Sequence, residues 1–126
     1  MRAHAKGLSC AVAAVELLIA HAVWLGRNDF VDRFVDTAGD LAGGGVLAWV
    51  RWRAATRALD AGRLPCSSSE AQVLRIAASL AEGVGVDLGE VVTGLDEDNI
   101  GLIAVAVLRA NGRGDAAAGV GGVEGR

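Results

Sequence analysis

The chain has 126 residues, enough for one domain and too few for two of ordinary size. Hydrophobic residues make up 52% and charged residues 21%, which places it among globular rather than disordered chains. A formal charge of −3 argues against a general affinity for nucleic acid or anionic membrane, and a core of this size needs no disulfide or metal.

Lys6 is the only lysine among twelve Lys and Arg residues, and tyrosine is absent. That bias reads as a GC-rich, bacterial genome and carries no mechanism. Cys10 and Cys66 form no C-x-x-C pair. Two free thiols in a reducing cytoplasm are the expectation.

Gly7–Gly26 reads GLSCAVAAVELLIAHAVWLG. Arg2 and Lys6, then Leu8–Ile19, then Ala20-His21-Ala22 imitate a secretory signal, and the apolar length approaches a membrane span. Glu16 interrupts the apolar run and argues against both. On a helical wheel Arg2, Lys6, Ser9 and Glu16 fall within about 80° of one another, with Ala13 and Ala20 filling the strip. Leu17, Leu18, Ile19 and Leu25 point elsewhere. A core helix with one narrow wet edge is predicted, in a cytoplasmic protein with no membrane contact. The alternative is a secreted protein whose residues 1–22 are a signal peptide.

Gly26 ends this helix and Asn28 is read as the next cap. Asp29–Ala38 is predicted as a short amphipathic helix carrying Phe30 and Phe34, with Asp29, Asp32, Arg33 and Asp36 around them. Gly39–Gly45 is predicted as a loop. A helix is placed somewhere within Val46–Ala61, stopped by Gly62 with Pro65 beyond.

Ser67-Ser68-Ser69-Glu70 gives a capping box, Ser67 paired with Glu70. Val73, Leu74, Ile76, Ala77, Leu80 and Ala81 then cover one face, and Gln72, Arg75, Ser79 and Glu82 the other, until Gly83. Val86-Asp87 with Glu90 and Val91 marks a short helix closed by Gly94. Leu95-Asp96 with Ile100 starts another over Glu97–Ala110. This last helix is apolar on every side, so it is expected at the centre of a core or under another chain. Arg113 onward is glycine-rich with no packing face, and disorder is expected.

Candidate chemistry is sparse. Gly43-Gly44-Gly45-Val46-Leu47-Ala48 matches G-x-G-x-x-A, but no strand precedes it and a loop is the better reading. Trp49, Arg51, Trp52, Arg53 and Arg57, with Arg63, interleave aromatic and cationic groups of the kind that stack bases and grip phosphates. Yet on one helix Arg51 lies about 120° from Arg57, so packed tryptophans covered by arginine stems are preferred. Glu70–Asp98 holds seven acids against Arg75 alone. They read as helix caps, or as a surface that pairs with the basic segment within the chain or across a dimer.

Asp96, Glu97 and Asp98 suit a helix start and lack EF-hand spacing. Leu88–Gly94 followed by Glu97–Ala110 has a helix-turn-helix outline, but acids and aliphatics are wrong for reading bases. His4 and His21 are too far apart for a helical metal pair. Ser67–Ser69 lack a nucleophile elbow. Cys66, just before a helix start, is a candidate for a lowered pKa, though no activating partner is apparent. Arg113-Gly114-Asp115 reads as chance. No catalytic residue, metal ligand or cofactor is expected.

Pro65–Gly112, PCSSSEAQVLRIAASLAEGVGVDLGEVVTGLDEDNIGLIAVAVLRANG, resembles small uncharacterised actinobacterial helical proteins, and HAVWLGRNDFVDRFV, His21–Val35, is similar to their N-terminal half. The resemblance covers about half the chain, rests on caps and core positions, and implies a helical fold without an activity or site residues.

Together these features predict an all-α domain over residues 1–111, of five or six short helices in an orthogonal array or bundle, with a disordered tail at 112–126. The expected function is a non-enzymatic protein-interaction module, self-association included. The alternative is a small regulator that binds nucleic acid or another polyanion through Trp49–Arg63, a partner that the net charge disfavours.

Overall fold

The computed structural model describes residues 2–40 and 45–112. The fold is mostly helical: α1 (Arg2–His21), a 3-10 turn (Trp24–Gly26), α2 (Asn28–Phe34), β1 (Val35–Asp40), β2 (Gly45–Val50), α3 (Trp52–Asp60), α4 (Ser68–Glu82), α5 (Leu88–Thr93) and α6 (Glu97–Ala110). The tail predicted to be disordered and the Arg-Gly-Asp tripeptide lie outside the described residues, as does the centre of the predicted glycine loop.

α1, α4 and α6 make the frame. On α1, Ala13, Ala14, Leu17 and Leu18 recur at helical spacing and are all buried. α1 runs antiparallel to both other helices. Its end, His21, feels the charges of Glu70 and Asp96 at the starts of α4 and α6, while Cys10 shares a groove with Leu80 and Val107 near their ends. Glu16 is half-exposed and meets Arg109 of α6 at 3.3 Å, but the strip expected around it is not the wet edge: Ala13 is buried, whereas Val12 and Ile19 are open to solvent. Among the described residues no helix is long and apolar enough to cross a membrane.

α1 ends without a glycine. Ala22 takes the left-handed conformation (φ 64°), and its N–H donates to the Leu18 carbonyl at 3.0 Å. The chain then drops Trp24 into the core. Its indole N–H donates to the Glu70 carbonyl at 3.0 Å, satisfying the one polar atom of a fully buried ring. Phe30 packs on Trp24 and Phe34 on Phe30, with centroids 5.3 and 5.6 Å apart. The α2 N-cap is Arg27, not Asn28, and no side chain caps it. Arg27 instead covers Trp24 at 4.9 Å, forks onto Asp29 at 2.9 and 2.6 Å, and donates to the Pro65 carbonyl at 2.7 Å.

The three helix starts read from sequence are present. Ser67 and Glu70 form the reciprocal capping box, with bonds of 3.1 and 2.9 Å. Asp87 accepts from the Glu90 amide at 3.2 Å and Asp96 from the Asn99 amide at 2.8 Å. α4 buries Val73, Leu74, Ile76, Ala77 and Ala78. Asn99 reaches Ser69 at 2.6 Å and ties the first turns of α4 and α6 together.

The correction lies between residues 35 and 51. The helix expected over Asp29–Ala38 stops at Phe34, while the helix placed somewhere within Val46–Ala61 does lie there, as Trp52–Asp60. Between them β1 and β2 pair antiparallel, Val35 opposite Val50 through Asp40 opposite Gly45. Val46–Val50 is rich in β-branched and aromatic residues, and a short apolar run has no period that separates a strand from a buried helical turn.

Candidate interaction surface

The aromatic and cationic segment does not assemble into one face. Trp52 opens α3 and is buried at 5% exposure, whereas Trp49 lies on β2 and is 49% exposed. Asp36, directly across from Trp49 in register, accepts a hydrogen bond from the Trp49 side chain and a fork from Arg51 at 2.7 and 3.0 Å. The Arg51 guanidinium holds the Asp36 carboxyl below the usual carboxylate range, and its own pKa rises in return.

Arg53 donates to the Glu82 carbonyl at 2.9 Å and lies 3.8 Å from its carboxylate. Arg75 pairs with Asp60 at 2.7 Å. The basic and acidic segments therefore meet inside the chain, α3 against α4. Both pairs are exposed and contribute little stability. Arg51, held by Asp36, and Arg53, held by Glu82, are thus engaged, while exposed Arg57 and Arg63 have no ion pair among the described residues.

The candidate chemical groups stay apart. His21 is half-buried with an Nδ1 that finds no hydrogen-bond partner. Burial lowers its pKa, and the charges of Glu70 and Asp96 oppose that shift only in part. Cys66 departs from expectation: partial burial and the charge of Glu70 push its thiol up, away from the thiolate, despite Arg27 and Arg75. Of the glycine motif, Gly45–Ala48 lie within β2 where a phosphate site needs a helix start, and Gly43 and Gly44 lie outside the described residues. Among the described residues no cluster of His, Cys, Asp and Glu is arranged to hold a metal ion.

The feature that sequence reasoning located only in outline is α6. Its apolar circumference is half used: Ile103 (5% exposed) and Ala106 face α1 and α4, while Ile100 and Val107 (50% exposed) stay open. Val107 and Ala110 form one wall of a groove of about 320 Å³, with Leu80, Cys10 and Asn111 completing it. The groove sits where the ends of α4 and α6 meet α1. Leu88 and Val92 on α5 and Val12 and Ile19 on α1 are further large apolar residues open to solvent. No family model matches the chain, and no curated protein or solved structure is similar to it.

Proposed function

We infer that the protein works by contact, as a helical interaction module that receives an apolar surface of a protein partner on the open side of α6. The observation that supports this reading is the half-used circumference of α6, Val107 exposed beside an apolar groove while Ile103 on the same helix is buried. Burying Ile100, Val107 and the groove walls would stabilise a complex by roughly 25 cal/mol for each Å² of apolar area covered.

The test is affinity capture from the native host with the wild type, Val107→Glu and Arg57→Glu in parallel, followed by calorimetry with the purified partner. The expected partner binds wild type and Arg57→Glu alike and loses most affinity for Val107→Glu. Equal binding by Val107→Glu would refute the assignment.

Arg57 and Arg63, exposed and without ion pairs among the described residues, favour a second reading as a polyanion contact. Fluorescence anisotropy with a labelled oligonucleotide decides it. Binding that weakens steeply with salt and is lost in Arg57→Glu supports it, and salt-independent binding counts against it.

A further inference from the structure

Among the described residues β1 and β2 have no third strand beside them, and an isolated two-stranded hairpin is marginal in water. Its base is anchored, with Val50 buried and Val35 packed against the core. One register step outward, Trp49 is already half exposed. The two strands differ in chemistry. β1 carries Asp36 and Asp40, whereas Val46-Leu47-Ala48-Trp49-Val50 holds no charged or hydroxyl residue, so period-two alternation cannot give β2 a polar face.

The ladder fixes which backbone groups of β2 look away from β1. The Arg51 N–H donates to the Phe34 carbonyl at 2.7 Å, one step beyond the Val35–Val50 pair. Bonded and non-bonded pairs alternate in an antiparallel ladder. The bonded pairs are therefore Asp36–Trp49, Ala38–Leu47 and Asp40–Gly45, and the amides and carbonyls of Val46 and Ala48 face the open edge.

We propose that this edge pairs with the same edge of a second copy of the chain, antiparallel about a two-fold axis at Ala48, to make a four-stranded sheet. Charge selects the edge. Pairing β2 with β2 sets Val46 against Val50 and Leu47 against Trp49 with no like charges opposed, while pairing β1 with β1 would bring carboxylates together. Unguarded apolar edges of this kind template pairing, since β2 has neither the lysine nor the proline that blunts an edge. The contact is independent of the α6 face and small, so it forms on the order of 100 µM.

Analytical ultracentrifugation of the full chain from about 10 to 500 µM tests it, with Ala48→Lys, Ala48→Pro and Val107→Glu alongside. Wild type should move from one-chain mass toward two. Ala48→Lys sets two ammonium groups face to face, and Ala48→Pro removes an amide that the β1 ladder does not use. Both should keep one-chain mass with the helical circular dichroism of wild type, and Ala48→Lys carries the test if the proline variant does not fold. Val107→Glu should associate like wild type. Trp24 and Trp52 are buried, so acrylamide quenching reports Trp49 and should fall as wild type associates. A single-chain wild type throughout, or Ala48→Lys associating like wild type, overturns the proposal. Loss of association in Val107→Glu alone moves the interface to α6 and overturns it while leaving the α6 reading standing.

Discussion

Ala22 is the residue whose replacement tests the backbone description most directly. It closes α1 at φ 64°, a region where an L side chain is strained, and it is solvent-exposed. Left-handed helical geometry costs a non-glycine residue about 1–2 kcal/mol. Glycine removes that strain and adds about 0.4–1 kcal/mol of unfolded-state entropy against folding. The exposed Cβ contributes little burial, so Ala22→Gly should stabilise by a net of about 0.5–1 kcal/mol. For a chain of this length that is a rise in Tm of about 2–5 °C. Urea titration should show a higher midpoint at unchanged slope. Gly83, which closes α4 at φ 70° with no heavy atom within 4 Å of a built Cβ, supplies the opposite sign. Gly83→Ala should destabilise by about 1 kcal/mol through strain alone. An Ala22→Gly variant no more stable than wild type would refute the reasoning.

Three further outcomes can be measured in the same way. Ser67→Ala should cost about 1 kcal/mol and Ser67→Asp much less, because an aspartate can still accept from the Glu70 amide; equal losses would count against the cap. Trp24→Phe should cost about 1–3 kcal/mol through lost volume and the lost bond to the Glu70 carbonyl, read as a lower urea midpoint. The lowered pKa of His21 means that the unfolded chain takes up the proton first as pH falls below the ordinary histidine value. The stability tied to neutral His21 is thus complete above about pH 6.5 and declines below it until the folded histidine titrates. The stability difference between wild type and His21→Gln should therefore shift against wild type between pH 7 and 5, and parallel profiles would contradict the burial described for His21.

Helix starts were legible because a cap is a local event. Ser67, Asp87 and Asp96 each bond an amide three residues on, and nothing distant is needed to decide it. The hairpin was not legible, because its strands exist only through each other: Thr37 and Ala48, 11 positions apart, become partners, and no local period announces that. Of the two tryptophans expected to pack, Trp52 is buried and Trp49 is half exposed, because the wheel put Arg51 and Arg57 on one helix whereas the chain changes from strand to helix at Arg51. The apolar circumference of α6 could be read from composition, but which half is covered depends on α1, whose last residue lies 76 positions before the first of α6.

That separation governs the order of assembly. α1 is made before α4 and α6, yet its buried face waits for both, and its pairing of Glu16 with Arg109 spans 93 residues. Contacts so distant in sequence add loop-closure entropy to the folding barrier. During synthesis Ala13, Ala14, Leu17 and Leu18 have no native cover on the α6 side until residue 110 leaves the ribosome. The apolar face of α1 is therefore open to wrong contacts for as long as α6 has yet to be made.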